Sequence, residues 1–293
     1  MTRNDAPVMG IDIGGSGVRG AIVTPDGEVG ELTRVALQNR EVETVLDAIR
    51  EVVGDRRPRA IGIGMPGFVR AATVIASPNF PSWHEVDLQA LVQTRCDTPA
   101  IVMNDANAAT FGAYERLGDG RDLLLLTLGT GVGGGVVSQR RLITGRRGTA
   151  AEVGHIFAGG DALCGCGGRG CLETWCSTRG LARQAAECGH PVPDGQSVVE
   201  AADRGEAWAK QVLHATGEAL GRGLASLTNV FAPEHIVLAG GLAQAERWLH
   251  EPAHTYWRAH AIGANVEGVT WRWWGRADDL AIRGSASAAR AIG

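Results

Sequence analysis

Residues 152–173, Glu-Val-Gly-His-Ile-Phe-Ala-Gly-Gly-Asp-Ala-Leu-Cys-Gly-Cys-Gly-Gly-Arg-Gly-Cys-Leu-Glu, constrain the fold more than any other stretch of this 293-residue chain. They carry one imidazole, His155, and three thiols, Cys164, Cys166 and Cys171, bracketed by the carboxylates Glu152 and Glu173. One His and three Cys are a common set for closing a tetrahedral zinc site. The intervening glycines let the backbone turn tightly enough for Cys164 and Cys166 to point at one ion. With all four positions filled by protein, no place is left for water or substrate, so the metal is expected to be a structural staple rather than a catalytic centre. A disulfide reading is weaker, because a Cys-x-Cys pair cannot easily bring its own Cα atoms to the required separation and orientation. Cys96, Cys176 and Cys188 remain. Cys176 is near enough in sequence to offer an alternative ligand, but reads better as a small buried apolar residue.

A chain of this length exceeds what a single core usually holds, so two domains are expected. Hydrophobic residues at 44% and charged residues at 20% suit a soluble globular protein. A net charge of −4 and the lack of a long basic run offer nucleic acid no electrostatic footprint. No apolar run is long enough to span a bilayer, so no membrane role is expected; Leu123 to Leu128 reads only as a buried strand. The first residues lack the apolar stretch of a signal peptide. Six cysteines without an export signal point to a reducing, cytoplasmic setting and to metal rather than disulfides.

Along the chain, Val8–Ile13, residues 18–24 and Val29–Leu37 are expected as three strands of an antiparallel meander, with Pro25-Asp26-Gly27 as a turn. Apolar residues at helical spacing predict a helix over 41–53. Ala60–Gly64 is a strand ending in Met65-Pro66-Gly67. Residues 77–83 contain two prolines and are expected as a loop. Ala100–Met103 is a strand delivering Asn104-Asp105 to its C-terminal end, with a helix from Ala106 to about Leu117. Strand ends followed by helix starts are where ligand sites collect in α/β sheets. Asp122–Leu128 is a strand, residues 129–135 a loop, and Val136-Val137 strand again. Helices dominate residues 177–229, His235–Ala239 is a strand ending in Gly240-Gly241, Val266–Trp274 is a late strand, and residues 279–292 are an Ala-rich helix. Two strand, Gly-loop, strand hairpins, at Asp12 and Gly129, therefore begin two halves, a weak internal duplication.

Gly129, Gly131 and Gly134 spell Gly-x-Gly-x-x-Gly, but the dinucleotide fingerprint needs a helix after its glycines. Here Gly135–Ser138 reads as strand, which disfavours NAD. A side-chain-free hairpin still turns successive N–H groups toward an anion. Three such loops, around Asp12, Gly129 and Gly240, favour a shared phosphate crevice over three empty turns. Asp12 offers a hard oxygen suited to Mg²⁺, directly or through water, although Asp at a strand end also caps turns. Asp105 stands where Asp is a favoured N-cap. Beside Asn104 and the phosphate loops it is also placed to accept a proton, which phosphoryl transfer needs besides positioning and charge neutralisation.

Taken together, Asp12-Ile-Gly-Gly-Ser, Asn104-Asp-Ala-Asn, Leu128-Gly-Thr-Gly-Val-Gly-Gly-Gly, Glu152-Val-Gly-His, Cys164-Gly-Cys-Gly-x-x-Gly-Cys-Leu-Glu173 and Leu238-Ala-Gly-Gly241 resemble the ROK family (repressors, open reading frames and sugar kinases), most of all its bacterial glucokinase branch. The resemblance implies an α/β, two-domain, actin-like and ribonuclease-H-like ATPase fold with an interdomain cleft and a structural zinc loop. It places a small N-terminal domain at residues 1–106, joined by the C-terminal helix 279–293, and a large domain at 107–278. It implies ATP-dependent phosphorylation of the 6-hydroxyl of a hexose, glucose being favoured, with Asp105 as the base. Gly67, Asn79, Asn104, Glu152, His155 and Glu173 would meet the sugar. Asp12, Gly14, Gly15, Ser16, Gly129, Thr130, Gly131, Gly133, Gly240 and Gly241 would meet ATP and Mg²⁺. His155, Cys164, Cys166 and Cys171 match the family's zinc ligands, so His155 would serve twice, one ring nitrogen on zinc and the other on the sugar. Relatives being commonly dimers, a homo-oligomer is expected.

The chain also departs from the family pattern. Many relatives carry Asp-x-Gly-Gly-Thr-Lys where this sequence has Ser16-Gly17, with Arg19 two positions on, an opening that also resembles polyphosphate-dependent glucokinases. Arg140, Arg141, Arg146 and Arg147 form a basic cluster that suits a polyanion, but exposed charge runs are more often plain surface. Similar polyphosphate enzymes lack the cysteine cluster, so ATP is the expected donor. An N-acetylhexosamine or fructose acceptor is a further alternative. A sugar-responsive repressor would need a helix-turn-helix before the kinase-like part, and Asp12 comes too early for one.

Overall fold

The apolar runs at residues 8–13, 61–65, 123–128 and 236–239 become strands buried on both faces, as such runs do in parallel α/β sheets. The structure, a computed structural model, describes residues 6–118, 122–275 and 278–292. It divides into two compact units, one of Met1–Asp119, Leu142–Ala150 and Asp278–Gly293, the other of Gly120–Arg141 and Ala151–Ala277.

In chain order the first unit opens with β1 (Val8–Gly14), β2 (Gly17–Val23), β3 (Thr33–Ala36), α1 (Val42–Val53) and β4 (Ile61–Met65). There follow β5 (Phe68–Arg70), β6 (Thr73–Ser77), β7 (Phe80–Val86), α2 (Leu88–Cys96), β8 (Ala100–Asn104) and α3 (Asp105–Leu117). The second unit carries β9 (Leu123–Leu128), β10 (Val132–Ser138), β11 (Arg141–Leu142, its second residue counted with the first unit), α4 (Leu172–Cys176), α5 (Thr178–Glu187), α6 (Gly195–Asp203) and α7 (Ala207–Phe231). It continues with β12 (His235–Ala239), α8 (Glu246–His260), α9 (Gly263–Val266) and β13 (Thr270–Trp274), after which α10 (Asp278–Arg290) belongs to the first unit.

The main sheet of the first unit has the order β3-β2-β1-β4-β8, and that of the second β11-β10-β9-β12-β13. In each, the first strand of the hairpin pairs antiparallel with the second and parallel with a later strand, β1 with β2 and β4, β9 with β10 and β12. The duplication read from the two Gly-loop hairpins is thus a duplication of strand order.

Alternation along β1 assigns its two faces. Met9, Ile11 and Ile13 join a core with Val45, Leu46, Ile49 and Val52 of α1. Val8 joins another with Ile282, Ala286 and Ala289 of α10. On that second face Gly10 and Gly62 carry no side chain, and a Cβ there would lie 2.0 Å from Ile282 O and 1.7 Å from Ser285 O. The helix therefore packs backbone to backbone on β1 and β4, and any larger residue at Gly62 would push it off the sheet.

Four local readings change. Residues 77–83 are not a loop: β5, β6 and β7 form a three-stranded sheet, and Pro81 is accommodated because β7 is an edge strand, where a missing N–H costs no ladder bond. Its Phe80 and Trp83 are fully buried in the α1 core. The glycine loop after β9 spans only Gly129–Gly131, since Val132–Val137 pairs regularly along β9. Strand β3 is shorter than expected, with only an isolated bridge between Val23 and Val29 before it, and residues 263–266 form a helical turn ahead of β13. Among the described residues no helix is long and apolar enough to cross a membrane.

Candidate active site

The expected site residues sort into two groups, one in each unit. In the first unit the junction of β8 and α3 settles which residue caps the helix. Asn104 is the cap: its backbone is extended (φ −63°, ψ 143°) and its Oδ1 accepts the Asn107 N–H at 3.0 Å. Its amide nitrogen donates to Gly67 O at 3.0 Å and to Asp105 Oδ1 at 3.1 Å. Asp105, the first helical residue, accepts the Ala106 N–H through the same Oδ1 at 2.8 Å. The capping role that Asp105 was also suited for thus falls to Asn104, and the Asp105 carboxylate is held by two donors at a positive helix end. Gly67 has φ +115°, and a Cβ there would sit 2.4 Å from Ala76 O, so its carbonyl reaches Asn104 only because it is glycine.

On the β1–β2 hairpin, Asp12 is 6% exposed and faces Arg19 across the antiparallel register. Arg19 Nε and one terminal nitrogen donate to Asp12 Oδ2 at 2.8 and 2.6 Å, so the carboxylate read as a Mg²⁺ ligand already has a cationic partner. Gly14, Gly15 and Ser16 form the hairpin end, and Ser16 O accepts the Leu37 N–H at 3.0 Å. The Asn79 amide lies over Gly15, 3.3 Å from where a Cβ would be.

In the second unit the Cys/His loop is folded for chelation. Cys164 N–H donates to Gly168 O at 2.8 Å and Gly167 N–H to Cys164 O at 2.9 Å, closing the knuckle that carries Cys166. Tetrahedral Zn–S bonds of about 2.3 Å put ligand sulfurs roughly 3.8 Å apart. The Cys166 and Cys171 sulfurs are 3.7 Å apart, and Cys164 Sγ is 3.6 Å from His155 Nδ1. All four ligand atoms lie within 4.8 Å of one another, so donor set and spacing fit a four-coordinate zinc bound through Nδ1. Burial pushes the Cys171 thiol up to about 12, with the neighbouring Cys166 and Cys164 sulfurs adding to it. Burial also raises Cys164, while the Gly168 N–H at Cys166 Sγ lowers that thiol. Cys176 stands apart from the set, fully buried, with its thiol donating to Thr216 O at 3.6 Å.

The two flanking carboxylates differ. Glu152 precedes a 3₁₀ turn at Val153–His155. Desolvation raises its carboxyl above the usual range, His155 works against that, and the Glu173 charge adds to it. Glu173, in α4, accepts the Val132 N–H at 2.9 Å, receives the Cys164 thiol at 3.8 Å, and lies 3.7 Å from Arg179. Arg179 also donates to Thr130 O at 3.1 Å, and Thr178 N–H to Gly129 O at 2.9 Å. The Gly129–Gly131 loop is therefore stitched to the segment that leaves the Cys/His loop. Neither Arg179 nor the Val132 N–H was marked in the sequence, since an exposed Arg and a strand amide carry no local signal. Gly133 lies within β10 opposite Thr127. Gly240 (φ +103°) and Gly241 follow β12, so this loop and Gly129–Gly131 leave the C-terminal ends of neighbouring parallel strands, where α/β sheets place their ligands. Arg140 sits in the β10–β11 turn with φ +64°, and Arg141 begins β11.

Comparison with known proteins accords with this arrangement. The ROK family model matches residues 8–290. A glucokinase of Halalkalibacterium halodurans is 32% identical over 92% of this chain and 90% of its own length. A glucokinase of Thermotoga maritima is 34% identical over 84% of this chain and 85% of its own. The crystal structure of a ROK family glucokinase from Streptomyces griseus, in complex with glucose and AMPPNP, superposes with a TM-score of 0.81 at 31% identity, covering 97% of this chain and 99% of that one. With motifs, strand order and full-length similarity in agreement, this chain belongs to the ROK family.

Proposed function

We propose that this protein is an ATP-dependent hexose kinase with glucose as its favoured acceptor. In this reading Asp105 takes the proton of the sugar's 6-hydroxyl. That oxygen forms a bond to the γ-phosphorus of ATP, the bond to the bridging oxygen breaks, and ADP leaves with the electron pair. Asn104, through its bonds to Gly67 and Asp105, sets the direction of the carboxylate. Gly67, Asn79, Asn104, Glu152, His155 and Glu173 meet sugar hydroxyls, each of which both donates and accepts, so an epimer leaves a buried partner unpaired. Gly14–Ser16, Gly129–Gly131, Gly133 and Gly240–Gly241 supply backbone to the phosphates, and Asp12 serves the Mg²⁺ that accompanies ATP, directly or through water. Zinc held by His155, Cys164, Cys166 and Cys171 would fix the His155 ring through Nδ1 and leave Nε2 for the sugar.

The observation that carries this reading is the cap arrangement. Because Asn104 caps the helix, Asp105 stands at a helix N-terminus without being its cap. The test is coupled phosphotransfer with Mg²⁺ in zinc-replete protein, pairing glucose, mannose, fructose, N-acetylglucosamine and N-acetylmannosamine with ATP or polyphosphate. Turnover of glucose with ATP is expected. Turnover only with polyphosphate would move the donor assignment, turnover only with an acetamido sugar the acceptor assignment, and none at all would overturn the kinase reading in favour of a sugar-responsive regulator.

A further inference from the structure

The β5–β6 hairpin and residues 144–150 enclose a depression of about 420 Å³ in the first unit, lined by Phe68, Arg70, Ile75, Arg146, Arg147 and Thr149. That volume falls in the range of small-molecule sites. The second segment is a built turn. Ala150 N–H donates to Thr144 O at 3.1 Å and Gly148 N–H to Gly145 O at 3.4 Å, which puts Arg146 and Arg147 at its two central positions. Gly148, with φ +72°, lies flat on β5, where a Cβ would be 2.1 Å from Val69 O. This contact brings two arginines of one segment to a third on another strand.

No lining residue is acidic. Among the described residues, these three guanidiniums form no ion pair or hydrogen bond. Three like charges around one concavity repel each other, and an anion seated among them removes that cost. Guanidinium forks match phosphate oxygens two at a time, which lysines in the same place would not do. The Thr149 hydroxyl adds a neutral donor, and Phe68 and Ile75 form an apolar wall that suits the carbon side of a small organic phosphate.

We propose that this depression, whose lining includes none of the proposed catalytic or substrate residues, is a second anion site that takes a phosphate-bearing small molecule with its phosphoryl group against Arg70, Arg146 and Arg147. A phosphomonoester and a short phosphoanhydride chain share the chemistry that these residues recognise. The full chain, saturated with zinc, glucose and a non-hydrolysable ATP analogue, is titrated calorimetrically with inorganic phosphate, glucose 6-phosphate and tripolyphosphate. Saturable binding is expected, weakened at least about tenfold both in Arg146→Gln/Arg147→Gln and in Arg70→Gln. The double change lies on an exposed turn and leaves the fold intact, which circular dichroism checks. Arg146→Lys/Arg147→Lys, which keeps the charge and loses the fork, is expected to fall between the two. Tightest binding of glucose 6-phosphate identifies a sugar phosphate as the occupant, and tightest binding of tripolyphosphate a phosphate chain. Equal binding by wild type and both glutamine variants, or no saturable binding of any of the three anions, would overturn the proposal.

Discussion

The Glu173 carboxylate accepts the backbone N–H of Val132 at 2.9 Å, so a residue expected to meet a sugar hydroxyl also holds the strand that follows the Gly129–Gly131 loop. The two are packed without slack, since a Cβ on Gly131 would lie 2.5 Å from Glu173 Oε2. One side chain therefore bears on both the proposed sugar contact and the Gly129–Gly131 loop of the second unit.

Replacing Glu173 should separate these roles. In Glu173→Gln an amide oxygen still accepts from Val132, so the KM for sugar is expected to rise while that for ATP stays near wild type. In Glu173→Ala the Val132 N–H loses its partner, and both KM values are expected to rise, on the order of tenfold. Steady-state kinetics with each substrate varied makes the comparison, and an unchanged KM for ATP in the alanine variant would remove the coupling.

Asp105→Asn keeps the size of the side chain and an acceptor for the Ala106 N–H, so the helix start should survive. Turnover is expected to fall by about 10²–10⁴-fold, the usual contribution of a general base, with the sugar Kd changed little. Kinetics and equilibrium binding together check this; a variant turning over at the wild-type rate would dismiss the base assignment.

Loading the metal-free protein with zinc should release protons, because Cys171 is held protonated by its buried surroundings and must ionise to bind. Titration in weak buffer with a pH indicator reads this directly. Cys166→Ser is expected to bind zinc more weakly and to lower the melting temperature along with activity.

His254 packs its ring 5.4 Å from His250, Trp257 and Trp271. Desolvation, followed by the charges of His250 and Arg258, lowers its pKa in the folded state. The unfolded chain then binds the proton at higher pH than the folded one, so this contribution to stability is complete above about 6.5 and is lost as the pH falls below it. Urea unfolding at pH 7.5 and 5.5 should show a smaller loss in His254→Gln than in the wild type.

Ala71 and Ala72 both have positive φ, +46° and +73°, and form the two-residue turn between β5 and β6. Such a turn favours Asn-Gly. Ala71→Asn/Ala72→Gly is therefore expected to stabilise the fold by about 1 kcal/mol, read as a higher melting temperature.

Chelation and tight turning are local chemistry, and that is why the Cys/His cluster was legible from spacing alone: its four candidate ligands lie within one short stretch of backbone. The same holds for the glycine hairpins after Asp12 and Gly129, for the strand-to-helix step at Asn104-Asp105, and for the apolar runs of the central strands. Folding decided what depends on pairing across the chain. The β5–β7 sheet escaped notice because its turn is made of alanines in a glycine conformation and its last strand contains a proline that only an edge tolerates. Asp105 is a favoured N-cap by residue type, yet α3 starts one residue earlier than expected and Asn104 takes the cap, its Oδ1 accepting the Asn107 N–H. Arg19 reaches Asp12 through antiparallel register, Glu173 reaches Val132 across 41 residues, and Arg70 joins Arg146 and Arg147 only because Gly148 lets two segments touch. A sequence displays donors, acceptors and charges one at a time, and hydrogen-bond and charge complementarity between distant residues exists only once packing has fixed their separation.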